Sequence, residues 1–175
     1  MTAVEAPQVP TRSRYLETEM FAARPARPGR RRDAPAFRGG DAPAFNGIND
    51  LLDDSRSRLE RVTARAAYQE VLSGRATLVD IRPQGQRDQE GEVRGDLAPL
   101  IIDRNVLEWR LDPRHPSCLP VADLDLRVIL LCQEGYASSL AADVLLRLGI
   151  HRSTDVIDGF AAWRGAGLPC REGKP

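Results

Sequence analysis

The chain has 175 residues, 42% of them hydrophobic, with 25 basic and 25 acidic side chains. That length allows one ordinary domain and a tail. The balanced charge gives no ground to expect nucleic acid or an anionic membrane as partner. No apolar run nears the roughly 20 residues that cross a bilayer, and the opening residues lack the apolar core of a secretory signal. The three cysteines, Cys118, Cys132 and Cys170, are too sparse for a disulfide framework or a structural zinc. His115 and His151 are too isolated to suggest a metal site. A reducing cytoplasm is the expected compartment.

Residues 1–50 are rich in Pro, Arg, Gly and Ala, with Arg30, Arg31 and Arg32 adjacent. Large apolar side chains are too few here to offset ordering entropy, so a disordered tail is expected. The segment repeats Asp-Ala-Pro-Ala-Phe at 33–37 and 41–45. That repeat reads either as a docking motif or, as tails of this composition usually are, as solvated chain. Met20 offers an alternative start.

The domain is expected over 51–170. Leu51, Leu52, Leu59 and Val62 give a weak helical spacing. Thr63 suits an N-cap for a helix over 64–72, stopped by Ser73-Gly74. Residues 76–81 read as a short apolar strand, 97–102 as a second apolar stretch, and 105–111 as a short helix. Val128–Leu131 reads as a strand, 139–149 as a strong helix, 154–157 as a strand and 159–166 as a closing helix. Strands without polar alternation, separated by helices, predict an α/β domain around a small parallel sheet buried on both faces.

In such sheets the site lies beyond the carboxyl ends of the strands. Cys132 stands there, between the strand and a turn, Gln133-Glu134-Gly135-Tyr136-Ala137-Ser138, that opens the next helix. Unpaired amides and the helix dipole favour negative charge at such a place. A cysteine there is a candidate nucleophile. Gly135 in mid-turn fits a ring of inward-pointing amides, whose backbone angles side chains resist. The plainer alternative is a small buried residue at a strand end.

From Thr63 to Leu168 the chain resembles the rhodanese-like sulfurtransferase domains. Leu78-Val79-Asp80-Ile81-Arg82 is similar to their Asp-x-Arg element. Glu90-Gly91-Glu92-Val93-Arg94-Gly95 stands at their Gly-His-Ile-x-Gly segment. Val128–Ser138 resembles their active-site strand and loop, and Asp155–Trp163 their Leu-x-Gly-Gly-x-x-x-Trp element. The resemblance implies a three-layer α/β fold. It also implies sulfane sulfur transfer through a persulfide on Cys132, with loop amides from Gln133 to Ser138 cradling the outer sulfur. The donor would be thiosulfate or a persulfide, the acceptor a thiol or a protein, and neither a metal nor an organic cofactor would be needed.

Two departures stand out. The loop holds Gln133, Glu134 and Ala137 where many catalytic members carry arginine, and Glu92 replaces the usual histidine. At an effective dielectric of ~20, a like-charge contact near 4 Å costs about 4 kcal/mol, so an inward Glu134 would repel dianionic thiosulfate. This leaves a second reading, a catalytically weak protein-binding or redox-sensing module. Phosphatases of related fold need an arginine closing the loop; Ser138 stands at that position, which disfavours them.

The other candidates divide as follows. Asp80 and Arg82 read as an ion pair or strand-end cap, or as polar support for the loop. Ser138 reads as a helix cap or as a donor to the persulfide. Tyr136 reads as a pocket wall or a surface aromatic. Trp109 and Trp163 are expected in the core, as are Leu140, Val144, Leu145 and Leu148 on one helix face. Cys118, and Cys170 in the terminal tail, are weak candidates for resolving thiols.

Overall fold

The computed structural model describes residues 44–174. The expectations for residues 1–43, including most of the tail, the arginine cluster, the first Ala-Pro-Ala-Phe and Met20, lie outside the described residues. The α/β fold class is borne out. Four strands, β1 (Thr77–Asp80), β3 (Leu100–Ile101), β4 (Val128–Leu131) and β5 (Thr154–Asp155), form one parallel sheet in the order β3-β1-β4-β5. A separate antiparallel pair joins β2 (Glu92–Val93) to β6 (Cys170–Arg171).

Among the described residues six α-helices accompany the strands: α1 (Ile48–Ser57), α2 (Ala64–Leu72), α3 (Gln84–Glu90), α4 (Leu107–Leu111), α5 (Ala137–Arg147) and α6 (Gly159–Gly165). Thr63 caps α2, its hydroxyl accepting from the Ala66 amide at 3.2 Å. All four residues of β4 are fully buried because helices cover both faces of the sheet. Val79, Val128 and Leu130 pack on one side with Leu107 and Leu111 of α4 and Ala141, Ala142 and Leu145 of α5. Leu78, Ile129 and Leu131 pack on the other side with Ala64 and Ala67 of α2 and Phe160 and Trp163 of α6. Each large side chain buried this way contributes about 1.5–3 kcal/mol.

Three expectations are corrected. Trp163 is in the core, but Trp109 is 52% exposed; α4 buries Leu107 and Leu111, and a residue midway between them faces outward. The deeply buried face of α5 is Ser138, Ala141, Ala142 and Leu145, with Ser139 and Asp143 beside it, whereas Leu140, Val144 and Leu148 are half-buried. Small residues there let the helix approach the sheet closely. Cys170 belongs to β6, opposite Val93, and not to a loose tail.

Helix α3 has no apolar periodicity to announce it. It is held by buried Arg87, which donates to the Arg82 carbonyl and, at 3.2 Å, to Glu92. Among the described residues no helix is long and apolar enough to cross a membrane.

Candidate active site around Cys132

The apolar run of β4 carries Cys132 out of the core at the carboxyl edge of the sheet, where the chain turns into α5. The residue is 7% exposed, and it belongs to one hydrophobic cluster at the end of β4. It does not end in hydrocarbon: the Gly135 amide donates to Sγ at 3.2 Å and the Ser138 amide at 3.4 Å, and Ser138 Oγ lies 3.1 Å away. Gly135 has φ 73°, a left-handed angle that glycine adopts freely. This angle turns its N–H inward and its carbonyl outward.

The carbonyls of Cys132, Gln133 and Gly135 are satisfied from behind. Phe160 and Ala161, in the first turn of α6, donate their amides to the carbonyls of Cys132 and Gln133 at 2.8 and 3.0 Å. A Cβ on Gly159 would collide with the Cys132 carbonyl, so α6 can begin this close only with glycine there. The Gly135 carbonyl accepts from Arg56 Nη2 at 2.9 Å and Arg61 Nη2 at 3.2 Å, and Ser139 Oγ is 2.9 Å from it. The Arg56 guanidinium also lies over the Tyr136 ring, 5.4 Å from its centre.

Behind the cysteine, Asp155 of β5 is fully buried. Arg61 grips both its oxygens, at 2.8 and 3.1 Å. Ser138 Oγ donates to Asp155 Oδ2 at 2.9 Å, and Ser139 Oγ lies 2.9 Å from the same oxygen. Ser138 therefore does not cap α5. The N-cap position is Tyr136, and the Ser138 side chain is turned inward between the sulfur and the carboxylate.

On the β1 side, Arg82 and Asp80 form an ion pair at 2.7 Å with each side chain 1% exposed. Arg82 also stacks on Phe160, 3.8 Å from the ring centre, and donates to Gln133 Oε1 at 3.1 Å. Gln133 in turn donates to Glu90. The pair is thus structural and at the same time ties the first loop residue to β1. Glu134 is half-buried, and Ala137 is exposed as the first residue of α5. Glu92, at the place of the family histidine, is paired with Arg87 and Arg171.

Helix α1 is anchored to α5 through Asp143, which accepts from Arg58 at 2.6 and 2.9 Å. The Arg58 guanidinium holds the Asp143 carboxyl below the usual carboxylate range, against the opposing pull of burial. Arg56 is thereby brought to the loop. Cys118 and Cys170 are free thiols, as Cys132 is. Cys118 Sγ lies 3.8 Å from the Pro113 carbonyl. Among the described residues no group of three or more His, Cys, Asp or Glu side chains gathers to hold a metal ion.

The loop contains no arginine, but the fold brings two to its outer wall. Sequence reasoning passed over Arg56, Arg61 and Asp155. The adjacent Ser138 and Ser139, in a helix that also buries Ala141, Ala142 and Leu145, were the local sign that a buried acceptor must lie opposite them.

No protein-family model matches the chain, and no curated protein matches it by sequence. Among solved structures, a protein of unknown function from Rhodopseudomonas palustris, named a possible tyrosine phosphatase, is 30% identical, with a TM-score of 0.64 over 75% of this chain and 98% of its own. A rhodanese-related protein from Thermoplasma volcanium superposes with a TM-score of 0.50 at 20% identity, over 63% of this chain and 95% of its own. A polysulfide-sulfur transferase homodimer from Wolinella succinogenes does so with a TM-score of 0.51 at 19% identity, over 69% and 83%.

Proposed function

The chain belongs to the rhodanese-like domain family, and from that premise we propose that it is a sulfurtransferase carrying sulfane sulfur on Cys132. In this reading the catalytic domain expected over 51–170 takes in the whole of α1 (Ile48–Ser57) and β6 (Cys170–Arg171). The Cys132 thiolate attacks the outer sulfur of a donor. The donor's S–S bond breaks, and its remaining fragment, sulfite in the case of thiosulfate, leaves with the bonding electrons. Cys132 then holds a persulfide. An acceptor nucleophile, a small thiol or a protein thiol, takes the outer sulfur, and Cys132 leaves as thiolate. A nucleophile that is also a leaving group is what such two-step transfer needs.

The single observation that carries the reading is the pair of main-chain donors, Gly135 N–H and Ser138 N–H, aimed at Sγ. Fixed amides stabilise negative sulfur without reorganising. Gln133, Glu134, Tyr136 and Ala137 line the same turn, with Asp80 and Arg82 in support. The donor best matched is a persulfide of low charge. The loop itself offers no cation, Glu134 adds a negative charge, and Arg56 and Arg61 are engaged behind the turn with the Gly135 carbonyl. A reducing cytoplasm would keep Cys132 available.

The low exposure of Cys132, 7%, favours one rival, a binding or redox-sensing module on the same fold. Cyanolysis with thiosulfate and with a small persulfide separates the two. Turnover by wild type that is lost in Cys132→Ser supports the transferase. No turnover with either donor supports the module. Hydrolysis of an aryl phosphate, lost in the same variant, would instead support the phosphatase reading suggested by the Rhodopseudomonas protein's description.

A further inference from the structure

The short chain of contacts from Cys132 Sγ through Ser138 Oγ to Asp155 Oδ2 to Arg61 has a consequence that hydrogen counting brings out. A serine hydroxyl carries one hydrogen, and an ionised carboxylate carries none. Asp155 is gripped through both oxygens by Arg61 and is therefore a carboxylate. The 2.9 Å contact between Ser138 and Asp155 must then use the Ser138 hydrogen. It follows that the 3.1 Å contact between Ser138 Oγ and Cys132 Sγ uses the thiol hydrogen, with Ser138 accepting. When the sulfur is an anion, as thiolate or persulfide, it has no hydrogen to offer, and the serine oxygen would face it with lone pairs alone.

We propose that Asp155 is a positioning residue that competes with the sulfur of Cys132 for the single hydrogen of Ser138. While the sulfur is protonated, Asp155 holds that hydrogen. When the sulfur becomes anionic, the hydroxyl turns and donates to it, and Asp155 keeps its two bonds to Arg61, with the single hydrogen of Ser139 shared between Asp155 Oδ2 and the Gly135 carbonyl, each 2.9 Å from Ser139 Oγ. Arg61 makes the release easier by satisfying the carboxylate it leaves behind. Ser138 is thus a two-way donor set by a buried acid–base pair that lies outside the catalytic loop. The inference rests on the proposed role of Cys132 as the reacting sulfur, not on the identity of the donor.

The test is the rate of Cys132 alkylation at fixed neutral pH, read by peptide mass so that Cys118 and Cys170 do not contribute, together with ultraviolet thiolate absorbance. Wild type, Asp155→Asn, Ser138→Ala and the double variant are compared, each checked for fold by circular dichroism. An asparagine amide facing Ser138 would donate to it and turn its hydrogen toward sulfur. Asp155→Asn should therefore alkylate faster by roughly tenfold, the size of one hydrogen bond to a charged group. Ser138→Ala should be slower than wild type, Ser138→Thr should restore the rate, and Asp155→Asn should change nothing in the Ser138→Ala background.

Should Asp155→Asn not fold, Arg61→Gln serves in its place. It leaves Asp155 hungrier for the hydrogen, so alkylation should slow, again only when Ser138 is present. Equal effects with and without the Ser138 hydroxyl, or no effect of either variant, overturn the proposal. Persulfide loading of the wild type is scored separately. If Cys132 never loads but the alkylation pattern holds, the transferase reading fails and the hydrogen competition stands.

Discussion

Replacing Gly135 by alanine tests whether the turn is built around its sulfur. Gly135 uses φ 73°, and an added Cβ would lie 2.8 Å from the Asp158 nitrogen, 3.0 Å from Arg61 Nη2 and 3.1 Å from the Val156 carbonyl oxygen. A left-handed angle costs a non-glycine residue roughly 1–2 kcal/mol. Two of the three neighbours are main-chain atoms that cannot rotate away, so the turn itself must shift. Its amide is 3.2 Å from Sγ, and a shift of a few tenths of an ångström weakens that bond. Losing one such donor costs about 10²–10³ in turnover, or about 2.7–4 kcal/mol.

Gly149→Ala supplies the control. Its φ is 91°, also left-handed, but the nearest atom to an added Cβ is Leu124 Cδ2 at 3.8 Å. It should lose only the torsional contribution and leave turnover unchanged. The assay is cyanolysis from a persulfide donor alongside chemical denaturation of both variants. A Gly135→Ala protein with wild-type turnover would refute the reasoning that these amides stabilise the reacting sulfur.

Other expectations follow from the same geometry. Arg82→Met leaves the Asp80 carboxylate buried without its guanidinium and should cost about 3–5 kcal/mol in urea unfolding; adding Asp80→Asn should return part of that loss. Glu134→Gln should raise thiosulfate turnover, more at low salt than at high salt, and equal turnover at both salt levels would count against a repulsive role for Glu134. Asp143→Asn should lower the melting temperature at neutral pH by loosening α1 from α5. Because the folded-state pKa of Asp143 is depressed, its contribution is fully present above the unfolded value of about 4 and is lost as pH falls through the folded value. Melting curves of variant and wild type should therefore converge in acid.

Much of the fold was legible where local rules act alone. Thr63 announced its helix by cap chemistry, and Val128–Leu131 announced a doubly covered strand by its unbroken apolar run. Helix α3 was silent because its docking depends on a charged residue, Arg87, whose partners are a carbonyl and Glu92. Leu145 was read correctly, but Trp109, Leu140, Val144 and Leu148 were misplaced because residue type was read as burial; the close packing of α5 on the sheet needed Ala141 and Ala142 instead.

At the site, the cysteine and its turn could be read from the strand-to-helix junction. The supports could not. Arg61 reaches Asp155 across 94 positions of chain and Gly135 across 74, and Arg56 reaches Gly135 across 79. Such pairings are set by which helix lies against which strand end, and no local pattern states them. The lack of loop arginines therefore overstated how poor in positive charge this corner of the molecule is.

The most direct measurement is the intact mass and peptide map of the protein after incubation with a persulfide donor and removal of excess reagent. A gain of one sulfur on the peptide bearing Cys132, discharged by cyanide and absent from Cys132→Ser, is the expected result. An unmodified Cys132 peptide, under conditions where a small thiol takes up sulfur from the same donor, would contradict the account.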